Sequence, residues 1–187
     1  MGPGIDAMDP LPITARGKSY ILTTVDYLSR WKKAKEVNQI SAKDVAKFVY
    51  EDICCKFGVP LELLLDQGPS FRAELMDYLC DKMNIRHNYT TPYYPQCNGL
   101  NERSNGELVR ILSNVTQHQG RNWDLELPSA LWAYKTSIKM ATWFSPFHLV
   151  FGKEALLPVE VELPTVKLLE KSIVDVKDAP SNRLLYL

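Results

Sequence analysis

The chain has 187 residues, of which 45% are hydrophobic and 24% charged, and its 22 basic residues balance 22 acidic ones. That length and mixture describe one ordinary globular domain with room for a sizeable core, and the neutral balance excludes a nucleic-acid affinity built on bulk positive charge. No apolar stretch approaches the roughly 18 residues needed to span a bilayer, and no basic segment followed by an apolar run opens the chain, so the expectation is an intracellular protein with no membrane partner. Cys54, Cys55, Cys80 and Cys97 lack metal-module spacing with His87, His118 or His148, and read as thiols of a reducing compartment.

Taken in order, Gly4 to Met8 reads as a short strand, closed by Pro10-Leu11-Pro12. Ser19 to Tyr27 and Trp31 to Val37 follow as β-branched and aromatic strands separated by turn residues, so an antiparallel meander is expected. Within it Arg30, Lys32, Lys33 and Lys35 crowd into six residues, read here as a solvated strand edge. Ser41 is a good N-cap, with Asp44 in the capping-box position. The helix it opens carries Val45, Phe48, Val49 and Ile53 on one face and ends at Gly58 and Pro60. Leu61 to Leu65 is a buried strand stopping at Asp66, Phe71 to Met83 a helix, and Arg86 to Thr90 a fifth strand.

The stretch from Tyr94 to Asn105 begins as a loop, turns at Asn98-Gly99, and enters a helix expected from about Gly99 to Gln119. Its apolar stripe is Leu108, Ile111, Leu112 and Val115. At about 100° per residue that stripe centres about 140° from Glu102, which therefore faces away from the buried side. Trp123 to about Ser137 is a further helix with Leu127, Leu131, Trp132 and Tyr134 as apolar bulk. Gly152 to Pro164 looks extended. The expected division is a domain over 1–163 and a tail or truncated linker over 164–187.

Three carboxylates stand at element ends beside glycine-bearing turns: Asp6, Asp66 and Glu102, with 35 residues between the last two. Asp26 also ends a strand and competes with Asp6 on position alone. Converging carboxylates supply hard oxygen ligands for Mg²⁺ or Mn²⁺, and two such ions serve phosphoryl transfer, whose charge spreads over non-bridging oxygens.

With those residues in view, the chain resembles the D,D-35-E catalytic core of retroviral and LTR-retrotransposon integrases, close to the gypsy-type branch. The motifs that carry the resemblance are "GIDAMDPLP", "YILTTVDYLSRW", "FGVPLELLLDQGPSF", "YYPQCNGLNERSN", "LWAYKTS" and "SPFHLVFGKEALLPVEVE", in order from about Gly4 to Pro164. The resemblance implies a ribonuclease H-like α/β fold, a mixed five-stranded sheet flanked by helices. It implies Asp6, Asp66 and Glu102 as catalytic residues holding two ions, and favours Asp6 over Asp26. It implies DNA as partner (element ends and target), 3′-end processing and strand transfer as reactions, a homodimer or higher oligomer, and a nuclear location for a functional copy. Gln96, Asn98, Gly99, Arg103, Asn105 and Arg110 are the expected nucleic-acid contacts.

Three positions depart from the family pattern. Gly106 stands where a large, often basic residue is usual, Ala7 where an aromatic is, and Asp9 where a glycine is. No His/Cys domain before the core or basic domain after it fits in this length, so a fragment or decayed copy is expected. The alternative is a catalytically silent, transposon-derived binding module.

Overall fold

The computed structural model describes residues 3–8, 10–89, 95–116 and 122–156, with 95–98 as backbone alone. Met1–Lys153 forms one compact unit. Glu154–Leu187 is a second, of which only 154–156 are described, so the expected boundary at residue 163, the tail after it and Asp9 lie outside the described residues.

Five strands form one sheet in the order β3-β2-β1-β4-β5: β1 (Gly4–Met8), β2 (Tyr20–Val25), β3 (Lys32–Val37), β4 (Glu62–Leu65) and β5 (Arg86–Tyr89). The first three make the expected antiparallel meander, with Asp6 opposite Thr23 and Thr23 opposite Ala34. β4 and β5 then add in parallel, Ile5 pairing with Leu65 and Glu62 with Arg86. β1 is thus the strand at which pairing changes direction. One step beyond the Ile5–Leu65 pair, the same register sets Asp6 beside Asp66.

Because side chains alternate across a strand, the sheet has two distinct faces. Ile5, Leu22, Val37, Leu63 and Leu65 point to one face and bury against Val45, Phe48, Val49, Phe71, Met76 and Cys80. These come from α1 (Ala42–Phe48), a π-helical continuation (Val49–Cys54) and α3 (Glu74–Lys82), with Phe71 from the turn before α3 and a short α2 (Cys55–Phe57) ending the first helix at Gly58. Ser41 caps α1 as expected, its hydroxyl accepting from the Asp44 amide at 3.2 Å. Met8 and Ile21 point the other way, against Leu108 and Leu112 of α4 (Pro95–Val115) and Trp123, Leu127, Ala130 and Leu131 of α5 (Trp123–Thr136).

Four expectations change. Helix α4 starts at Pro95, where a turn at Asn98-Gly99 was expected; proline suits a first helical position because the amide it lacks would be unpaired there anyway. Val115, counted in the apolar stripe of α4, is exposed, because the burial of that helix ends at Leu112. Trp132 keeps 36% of its surface, leaving α5 packed through Leu127, Leu131 and Tyr134. The sequence reading had no helix at α6 (Pro146–Phe151), although Ser145 caps it by accepting from the His148 amide at 3.0 Å and Gly152 closes it at φ +69°.

Candidate active site

Asp6 sits half-buried in the middle of the sheet, on the face covered by α4. Its two oxygens are separately held: Oδ1 accepts from the Ala7 amide at 2.8 Å and Oδ2 accepts from Asn105 Nδ2 at 2.8 Å. Burial pushes its carboxyl above the usual range, the Ala7 bond opposes that, and the charge of Asp66 pushes it up again. Asp66 follows β4 directly. Its turn is compact: the Phe71 amide donates to Gly68 O at 2.9 Å, and a Cβ on Gly68 would stand 3.2 Å from the Phe71 ring and 3.7 Å from Asp66 Oδ2.

Asp26, the competitor of Asp6, is occupied locally. One of its oxygens accepts from the Ser29 amide at 2.8 Å and from Ser29 Oγ at 2.5 Å, closing the turn between β2 and β3.

Glu102 is exposed on α4, between buried Asn101 and Ser104, on the outward side that the angular argument gives it. Asp6 and Asp66 lie within each other's field; Glu102 is not gathered with them. Among the described residues no group of three or more His, Cys, Asp or Glu is close enough together to hold a metal ion.

The expected nucleic-acid residues divide. Gln96 and Asn98 lie in the first turns of α4, and their side chains are outside the described residues. Gly99 is helical, and its carbonyl accepts from Arg103 Nε at 2.7 Å. Arg103 and Arg110 are exposed on the helix surface. Asn105 faces inward: besides holding Asp6, its Oδ1 accepts from Thr23 Oγ1 at 3.1 Å and from Lys32 Nζ at 2.6 Å.

Lys32 is the residue the sequence reading missed. It is not on a solvated edge but 1% exposed, its ammonium donating to Ser104 Oγ at 2.8 Å as well as to Asn105. Burial lowers its pKa to about 7, against the pull of the Asp6 and Glu107 charges. The period of two in β3 was the available signal, since Lys32 shares a face with Ala34, which packs against the core that α4 and α5 make with the sheet. Lys35 points to the other face and reaches Glu51 at 3.1 Å and Asp52 at 3.0 Å on the π-helical segment. The run of cations is therefore split between two layers.

Comparison with known proteins places this geometry. Residues 4–95 match the family model described as the integrase core domain. The chain is 27% identical over 154 residues to the retrovirus-related Pol polyprotein from transposon 412 of Drosophila melanogaster, covering 82% of this chain and 12% of that protein. It is 31% identical over 141 residues to the Gag-Pol polyprotein of avian reticuloendotheliosis virus, covering 75% of this chain and 12% of the relative. The chain thus spans about an eighth of the length of these curated relatives.

Among solved structures, it resembles a chain of the simian T-cell lymphotropic virus intasome in complex with PP2A regulatory subunit B56 gamma (TM-score 0.70, 21% identity, 83% of this chain and 55% of that one). The catalytic core domain of BIV integrase gives a TM-score of 0.64 at 22% identity, covering 79% of this chain and 91% of that one. The HTLV-2 integrase catalytic core domain in complex with magnesium, in a trimeric form, gives 0.64 at 17% identity, covering 78% and 93%. The fold is ribonuclease H-like.

Proposed function

We propose, from the premise that this chain belongs to the integrase core domain family, that it is the polynucleotidyl-transferase core of a gypsy-type retrotransposon integrase. Its substrate is DNA, element ends first and target DNA second, and its place of action is the nucleus. The observation that carries this reading is that Asp6 of β1, held by Asn105 of the helix that bears the third carboxylate, feels the charge of Asp66 just past the end of β4.

The chemistry of this pair fits a divalent cation. A half-buried carboxyl pushed up by burial and by a second carboxylate is offset only in part by the Lys32 charge, and Mg²⁺ or Mn²⁺ would supply the rest through hard oxygen contacts. Asp6 and Asp66 would hold the metal, and Glu102 would have to move inward to complete a set for a second ion. Bound metal lowers the cost of charge at a phosphodiester under attack. The chain's own part is orientation. The Ala7 amide and the Asn105 side chain fix both oxygens of Asp6, and Lys32 and Thr23 fix Asn105 in turn, so Asp6 needs little rearrangement to accept its ligand. Copies of the core assemble on the DNA ends; of the similar structures, one is a chain of an intasome and another is a trimeric form.

Titration calorimetry with Mn²⁺ on the wild type and on Asp66→Asn tests this. A binding heat that is lost or weakened at least tenfold in the variant supports it, while equal heats overturn it.

A further inference from the structure

Beside α4 lies an open groove of about 660 Å³, bounded by the β2–β3 turn, α4 and the segment that follows α5. Four cationic side chains line it: Arg30 from the turn, Arg103 and Arg110 from α4, and Lys139 from beyond α5. Among the described residues Glu107 is its one acidic residue, and is committed to Lys139 at 2.5 Å. Lys139 also lies 3.6 Å from the centroid of the Tyr134 ring, on the groove wall. In a chain of zero net charge, this is a local excess of three positive charges.

Arg30 distinguishes the groove from a chance cluster. Its backbone is left-handed, at φ +61°, which arginine rarely adopts, and the Asp26–Arg30 turn imposes it: the Arg30 amide donates to Asp26 O at 2.9 Å and the Asp26 amide to Trp31 O at 2.9 Å. Its Nε is buried with no hydrogen-bond partner among the described residues, a donor held out of water. Arg103 and Arg110 are seven residues apart on one helix face, about 10.5 Å along the axis. A single small anion would meet only one of them. A planar guanidinium fork matches the oxygens of a phosphodiester.

We infer that this groove binds the sugar–phosphate backbone of DNA, with Arg30 as a contact beyond those of α4 and Lys139, buried against Glu107 and Tyr134, as part of its wall. It adjoins the site directly: Tyr27, on the groove wall, places its hydroxyl 2.4 Å from where a Cβ on Gly4 would stand, two residues from Asp6. The inference rests on the reading above in taking the polymer to be DNA, but the groove needs no metal to work.

The test is fluorescence anisotropy of a labelled 20-base-pair duplex with chelator present, over a salt series. Arg30→Gln with Arg110→Gln lowers the slope of log K against log salt by about 0.9 for each cation removed. Lys82→Gln, which removes one exposed cation from α3, leaves the slope unchanged. Glu107→Gln, which removes the groove's negative charge, tightens binding, an effect no misfolded variant gives. Wild-type slopes in the double variant, or weaker binding by Glu107→Gln, overturn the inference. So does binding of inorganic pyrophosphate by the groove with no uptake of duplex. Any of these leaves the Mn²⁺ result at Asp66 untouched, so the two readings fail separately.

Discussion

Lys32 connects the sheet to the site through a single buried charge. Its pKa of about 7 means that the folded chain sheds this proton while the unfolded lysine still holds it, up to about 10.5. Between those values the unfolded state binds more protons, so stability rises with pH across that window and the contribution is least favourable below about pH 7. The slope approaches about 1.4 kcal/mol per pH unit for one proton. Urea denaturation from pH 6 to 10 checks this: Lys32→Met flattens the curve relative to wild type. What the sequence disclosed at this scale was uneven. The strand end at Asp66 and the cap at Ser41 were legible, because each is a local signal. The inward turn of Lys32 was not, because four cations in six residues read as a solvated run, and only strand parity separates them. The meeting of Asp6 with Asp66 was legible through the resemblance alone. It depends on which strands become neighbours, and nothing local to either residue states that.

At the scale of one element, α4 carries Glu102, Asn105 and the two groove arginines, and it is held to the sheet chiefly by Leu108 and Leu112. Its weak point is Gly106, where a Cβ would meet nothing within 4 Å. Glycine here loses backbone entropy and gains no close approach in return. Gly106→Ala therefore stabilises the protein by about 1 kcal/mol, a rise of roughly 2–4 °C in melting temperature by calorimetry. The same helix shows why its start was misplaced. Asn98-Gly99 is a strong turn signal, but four consecutive amides at a helix start need no intrahelical partner, and a proline at the first position fits that freedom. The missing α6 had the opposite fault: its cap, proline and closing glycine were all present, but six residues give too little periodicity to notice.

Across the whole molecule the neutral total conceals segregation. Cations gather on the groove beside α4, while Glu51 and Asp52 offset Lys35 on the opposite layer. Bulk charge was therefore a poor guide to nucleic-acid binding, since the term that matters is local. The fold itself was largely legible, because alternation in the strands and helical spacing in α1 and α5 each specify a buried face without reference to the others.

The sheet's two-sidedness leaves Lys32 and Lys33 as chemical twins one peptide bond apart in different surroundings. Lys32 is sealed beneath α4, while Lys33 is half-buried on the other side, its ammonium 4.6 Å from the centre of the Phe57 ring. An amine-acylating reagent thus takes Lys33 in the native protein and Lys32 only when α4 lifts from the sheet. The ratio of the two adducts by mass spectrometry, followed in mild urea, reports how often that lid opens, with the neighbouring lysine as internal standard. Equal labelling in native buffer would mean that the helix over Asp6 is not closed.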